Sequence, residues 1–209
     1  MDARADAAGV DAVVFDLGGV LIDWNPRHLY RQLFDDEAEM EEFLATICTL
    51  EWHVAHDLGQ GTAESCAELA LEHPEHAPFI RAWADRSEDM VAGAIDDTVA
   101  ILAELRTDGV RCYALSNMEP ETFPLRLERF EFLQWFDGHV ISGTEGVVKP
   151  DPEIFHRLLR RFDLQPSRTL FIDDSPVNVE AARALGIRAV FFESPAQLRA
   201  DLEEVGLLD

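Results

Sequence analysis

Short apolar runs and amphipathic stretches alternate along most of this chain. The first clear element, Asp11-Ala12-Val13-Val14-Phe15-Asp16, is β-branched and apolar and breaks at Gly18-Gly19. A continuous apolar run of this length suits a central parallel strand covered on both faces. From about Trp24 to Ala92 strand-like runs vanish. There the pattern predicts helices over 27–34, 37–49, 62–72 and 76–92, separated by Asp35-Asp36, by Gly59-Gln60-Gly61 and by His73-Pro74. Beyond it strand and helix alternate. Helix 96–108 carries Val99 and Leu102 on one face and stops at Gly109. Strand 110–115, helix 121–131, strand 138–142, helix 152–163 and strand 169–172 follow. Ser175-Pro176 open a further helix that Gly186 closes, before strand 188–192 and helix 195–204.

Repeated βαβ units imply the α/β class, with a parallel sheet and right-handed crossovers. The segment 24–92 reads as a small helical insertion between 1–23 and 93–209. Sheets of this kind bind ligands at the carboxyl ends of their strands. That rule gathers Asp16, Ser116 and Asp173-Asp174 on one rim, with Lys149 on the loop beyond a fourth strand.

Composition narrows the picture. Hydrophobic residues make up 47% of 209, ample for a buried core. The net charge of −24 argues against nucleic acid or an anionic membrane as partner. It leaves open a phosphorylated substrate, because a metal and one local lysine can reverse the field inside a cleft. Cys48, Cys66 and Cys112 are far apart and lack CxxC spacing, so they read as buried hydrophobes in a reducing compartment. Met1-Asp2-Ala3-Arg4-Ala5-Asp6 has no basic region followed by an apolar run, and no stretch reaches the ~18 apolar residues of a membrane span. A cytoplasmic protein is expected.

Lys149 is the sole lysine, in Gly146-Val147-Val148-Lys149-Pro150-Asp151-Pro152. One cation, several carboxylates and a hydroxyl at strand ends make a site for handling an anion with a metal ion. Singly, Asp16 could be a turn former, Asp174 and Ser175 a helix cap, and Ser116-Asn117 an ordinary turn; together on one rim they point to function.

Four segments in this order resemble the motifs of the haloacid dehalogenase superfamily. They are Val14-Phe15-Asp16-Leu17-Gly18-Gly19-Val20-Leu21, Leu115-Ser116-Asn117, Val148-Lys149-Pro150-Asp151-Pro152 and Phe171-Ile172-Asp173-Asp174-Ser175-Pro176-Val177-Asn178. The resemblance implies a Rossmann-like parallel sheet core, 1–23 and 93–209, with an α-helical cap subdomain, 24–92. It implies a phosphatase acting on a small phosphorylated metabolite, such as a sugar phosphate. Asp16 would be the nucleophile, forming an aspartyl-phosphate. Mg²⁺ would be held by the Asp16 carboxylate, the Gly18 carbonyl and the Asp174 carboxylate. Ser116, Asn117 and Lys149 would bind the phosphate, Asp173 would orient Lys149, and Asn178 would support the carboxylates. Trp24, His28, Trp52, His53 and His56 are candidates for the substrate pocket, although for each a packing or surface role is the simpler reading. Arg27 reads as a helix-surface arginine, and Asp57-Leu58-Gly59-Gln60-Gly61 as a turn.

One departure matters. Most phosphatases of this superfamily carry an aspartate two positions after the nucleophile, which protonates the leaving alcohol; here Gly18 stands there. A positioned acid or base is worth ~10²–10⁴ in rate. Three resolutions are open: weak activity, a substitute such as Asp23 or a cap histidine, or a substrate with a good leaving group. The same glycine raises two alternatives, a 2-haloacid dehalogenase-type hydrolase and a non-catalytic protein that binds a phosphorylated ligand or a partner. Asp173-Asp174 favours the metal-dependent phosphatase.

Overall fold

The computed structural model describes residues 9–209; the Met1–Asp6 stretch, read above for a leader, lies outside them. Five strands form a parallel sheet: β1 (Ala12–Phe15), β4 (Arg111–Ser116), β5 (Gly138–Ile141), β6 (Thr169–Asp173) and β7 (Arg188–Phe191), in the order β5-β4-β1-β6-β7. β1 is central and pairs in register with β4 and β6. All four of its residues are buried. Val13 and Phe15 face one core with Cys112, Ala114, Leu170 and Ile172, while Ala12 and Val14 face the other with Tyr113, Leu115 and Phe171. The side-chain period of two therefore splits one apolar run between two layers of helices. Truncating Phe15 to Ala would cost about 3–5 kcal/mol by cavity formation directly beneath Asp16.

The helices after residue 95 fall close to their expected positions, with Asp96–Thr107, Thr122–Arg129, Pro152–Phe162, Pro176–Ala184 and Pro195–Glu204. Ser175 occupies the N-cap position of Pro176–Ala184, but its side chain makes no capping bond.

The insertion differs more. Two short strands, β2 (Ile22–Trp24) and β3 (Val91–Ala94), pair antiparallel at its base. The expected helix 76–92 is thus three pieces: helix Ala77–Asp85, a 3₁₀ turn Ser87–Met90, and β3. Helix 27–34 shortens to Pro26–Tyr30 and helix 37–49 to Glu37–Thr46. A further helix, Leu50–Asp57, follows, with Thr49 as N-cap accepting from the Trp52 N–H at 3.0 Å. These helices share a third core of Tyr30, Met40, Phe43, Ile80 and Trp83, separate from the two around the sheet. No helix among the described residues is long and apolar enough to cross a membrane.

Candidate active site

Each rim residue stands where a strand stops. Asp16 follows β1, its N–H donating to the Ile172 carbonyl at 2.9 Å. The Leu17 N–H donates to Asp16 Oδ1 at 2.7 Å, which turns Oδ2 toward Lys149 Nζ, 2.8 Å away. The chain then doubles back, Leu21 and Ile22 both donating to the Leu17 carbonyl. Gly19 makes this possible with φ +72°, and a Cβ there would lie 2.1 Å from Asp174 Oδ2. Around Gly18, by contrast, an added Cβ meets open space.

Lys149 is buried between two carboxylates, its Nζ 2.8 Å from Asp16 Oδ2 and 2.7 Å from Asp173 Oδ2. Its backbone is clamped by Asn117, which donates Nδ2–H to the Lys149 carbonyl at 3.0 Å and accepts from the Lys149 N–H at 2.8 Å. Asn117, expected at the phosphate, thus uses its side chain to fix the lysine loop. Asp173 is fully buried and also accepts from the Ser175 N–H at 2.8 Å and from Asn178 Nδ2 at 3.0 Å. Asn178 accordingly braces Asp173. Ser116 ends β4, buried, beside Asn117.

Carboxylate oxygens of Asp16, Asp173 and Asp174 all lie within 4.8 Å of one another. Burial pushes the Asp16 carboxyl up to about 8; Lys149 opposes this, and the Asp173 and Asp174 charges add to it. Three carboxylates around one ammonium leave negative charge in surplus, which is what a divalent cation offsets. Asp173 accepts from Lys149, Ser175 and Asn178, whereas each Asp16 oxygen has a single partner, so Asp16 and Asp174 are the carboxylates that could take a cation.

These groups form the floor of a cavity of about 710 Å³, roofed by the insertion. Helix Leu50–Asp57 contributes His53, Val54 and Asp57 to its wall, and the loop after β4 contributes Glu119. His53 stacks on Trp24 at 5.3 Å between centroids, and its Nδ1 lies 3.1 Å from His56 Nδ1. Burial lowers both imidazoles, His53 to about 4. His56 Nδ1 is 3.9 Å from Glu119 Oε1, and His53 Nε2 is 3.7 Å from Asp57 Oδ1. Trp52 packs edge-on against His56.

Two expectations are corrected. Asp23 does not line this cavity; its carboxylate sits 2.8 Å from His28 Nε2. Asp57 is no exposed turn residue but the buried end of a helix, its carbonyl accepting from Ser142 Oγ at 2.6 Å. Arg27 lines the cavity but is held by both oxygens of Glu41. Asp57 and Glu119 were missed among the candidate residues. Asp57 sits two residues before Gly59-Gln60-Gly61 and Glu119 three residues after Ser116, and neither spacing distinguishes a site residue from a loop acid.

A parallel sheet with this strand order and carboxylates at the tips of β1 and β6 defines a class of α/β hydrolase. The chain belongs to the haloacid dehalogenase-like hydrolases, whose family pattern matches residues 10–186. It is 30% identical over 185 residues to the sesquiterpene phosphatase astK of Aspergillus oryzae, covering 84% of this chain and 86% of that protein. Its fold is similar to that of a haloacid dehalogenase-family enzyme from Bacteroides thetaiotaomicron solved with magnesium and inorganic phosphate (TM-score 0.65, 20% identity, 88% and 95% of the two chains). It is also similar to that of L-2-haloacid dehalogenase from Xanthobacter autotrophicus with covalently bound chloropropionic acid (TM-score 0.68, 18% identity, 96% and 85%).

Proposed function

We propose that this chain is a Mg²⁺-dependent phosphatase of small phosphorylated molecules, working through an aspartyl-phosphate on Asp16. The observation that carries this reading is the buried Asp16–Lys149–Asp173 relay with Asp174 beside it. Asp16 attacks phosphorus. Lys149 offsets the charge of both nucleophile and phosphoryl group, so that two anions can approach. Ser116 Oγ and neighbouring backbone N–H groups hold phosphate oxygens. Asp173, braced by Asn178, keeps Lys149 in place. The Asp16 and Asp174 carboxylates and the Gly18 carbonyl would hold Mg²⁺, which supplies further charge neutralisation at the phosphoryl oxygens when bound. The core 1–23 and 93–209 would carry the chemistry, with 24–92 as the cap.

Trp24, Leu44, Leu50, Val54, Trp83 and Met90 form the apolar part of the cavity wall, which Arg27, Glu41, Thr49 and Arg126 also line. That part of the wall suits an apolar substrate body. Similarity to a sesquiterpene phosphatase supports a phosphorylated substrate with a hydrocarbon body. Three buried, unpaired cysteines fit a reducing cytoplasm.

Gly18 is the observation that favours a second reading, a metal-independent haloacid dehalogenase, since halide leaves without a proton. Asp174 counts against it. A panel of phosphate esters with and without Mg²⁺, beside 2-chloropropionate without metal, separates the two. Phosphate release that requires Mg²⁺ and vanishes in Asp16→Asn is expected. Halide release without metal would overturn the proposal.

A further inference from the structure

Position 18 has no side chain, so the proton needed by a departing alkoxide has to come from elsewhere in the cavity. The roof and wall offer few sources. Asp23 is turned away toward His28. Glu119 accepts from Thr122 Oγ1 at 3.1 Å and faces His56. The two imidazoles, driven neutral by burial, contact each other through Nδ1. Asp57 differs from all of them. It is buried yet lines the same cavity as Asp16 and Lys149. Among the described residues no hydrogen bond reaches its carboxyl, the nearest partner being His53 Nε2 at 3.7 Å.

We propose that Asp57 is the general acid of the first step and the general base of the second, in place of the side chain that Gly18 lacks. The inference rests on the phosphatase reading. In the first step Asp16 forms a bond to phosphorus, the bond from phosphorus to the leaving oxygen breaks, and the Asp57 proton passes to that oxygen to give the alcohol. In the second step water forms its bond to phosphorus, the Asp16–phosphorus bond breaks, and Asp57 recovers a proton from the water. Atoms and charge balance, and no co-reactant is required.

Two further observations agree. The backbone of Asp57 is anchored to the core: Ser142 Oγ donates to its carbonyl and accepts from the Met118 N–H at 3.0 Å, tying the roof helix to the loop after β4. The carboxyl also titrates where a general acid is most effective. Burial, reinforced by the Glu119 charge and opposed by Lys149, raises it to about 7. The groups that face it are His53 from its own helix, Glu119 from the loop after β4 and Lys149 from the loop after β5.

The test is Asp57→Asn, assayed with Mg²⁺ on p-nitrophenyl phosphate, whose leaving group needs little protonation, and on hexyl phosphate, whose leaving group needs it fully. The rate on hexyl phosphate falls about 10²-fold further than the rate on p-nitrophenyl phosphate. The fall in kcat for hexyl phosphate above about pH 7, present in the wild type, disappears, and Asp57→Glu restores part of the rate. Equal losses on both substrates would assign Asp57 a structural role and overturn the proposal, as would no loss on either. Absence of phosphate release by the wild-type protein from both esters would instead sink the phosphatase reading, and this role with it.

Discussion

The rim and the roof of one cavity differ in the counter-charge that their buried groups meet. On the rim, carboxylates crowd around Lys149 at contact distances of 2.7 and 2.8 Å, so that the burial which raises Asp16 is opposed by a fixed counter-charge. In the roof, His53, His56 and Asp57 have no opposite charge closer than 3.7 Å, and burial drives each toward its neutral form. On the proposed reading, the rim would hold the bound ions, and the roof the substrate body and a proton that moves near neutral pH. The insertion does more than cover the sheet, since it brings polar groups of a different kind to the same cavity.

Breaking the rim has the largest expected effect. Lys149→Met leaves two buried carboxylates without their cation, which should cost about 3–5 kcal/mol of stability in urea unfolding. Phosphate release should fall about 10³-fold. A loss in both no greater than for an average surface substitution would show that the rim is not an electrostatic unit.

The roof should reveal itself through pH. The folded state holds His53 at about 4, below its free value of 6.5, so its contribution is full above pH 6.5 and drains away as pH falls toward 4. Asp57 acts in the other direction, weakening the fold as pH rises from 3.8 through about 7. His53→Phe should abolish the first effect. Relative to wild type it should gain up to about 3 kcal/mol between pH 7 and pH 4, measured by urea midpoints. An identical pH response in both proteins would mean that the imidazole is not buried neutral.

A finer probe of the rim is Gly19→Ala. Its Cβ would displace the Asp174 carboxylate, so the Mg²⁺ concentration giving half-maximal activity should rise about 10–100-fold. Unchanged Mg²⁺ dependence would remove Asp174 from the metal set. The smallest effect belongs to the cavity mouth. Val54→Ser should raise KM for long-chain phosphates by about fivefold, from about 1 kcal/mol of lost apolar contact, and leave KM for short-chain ones within twofold. Equal changes for both would argue against an apolar subsite.

The rim was legible in the sequence because strand ends are marked twice, by an apolar run and by the polar residue that halts it, as at Phe15-Asp16 and Ile172-Asp173. The roof was not. Helix Leu50–Asp57 hides because its pattern is inverted: Leu50 and Val54, with Leu58 just beyond, are exposed along one stripe, whereas His56 and Asp57 are buried. Periodicity reads apolar positions as the inward face, and here they border a cavity and its mouth. The expected helix 76–92 overran because no glycine or proline separates Trp83 from Met90-Val91, leaving the entry into β3 unmarked. Asp57 and Glu119 meet through the fold alone, from a helix end and a loop far apart in sequence.

The central claim is that Asp16 carries the phosphoryl group. Wild-type enzyme turning over a phosphate ester with Mg²⁺ can be quenched in acid, reduced with borohydride, digested and sequenced by mass spectrometry. Homoserine at position 16, and its absence when substrate is omitted, is the expected result. Turnover with homoserine at another acidic residue, or at none, would contradict it.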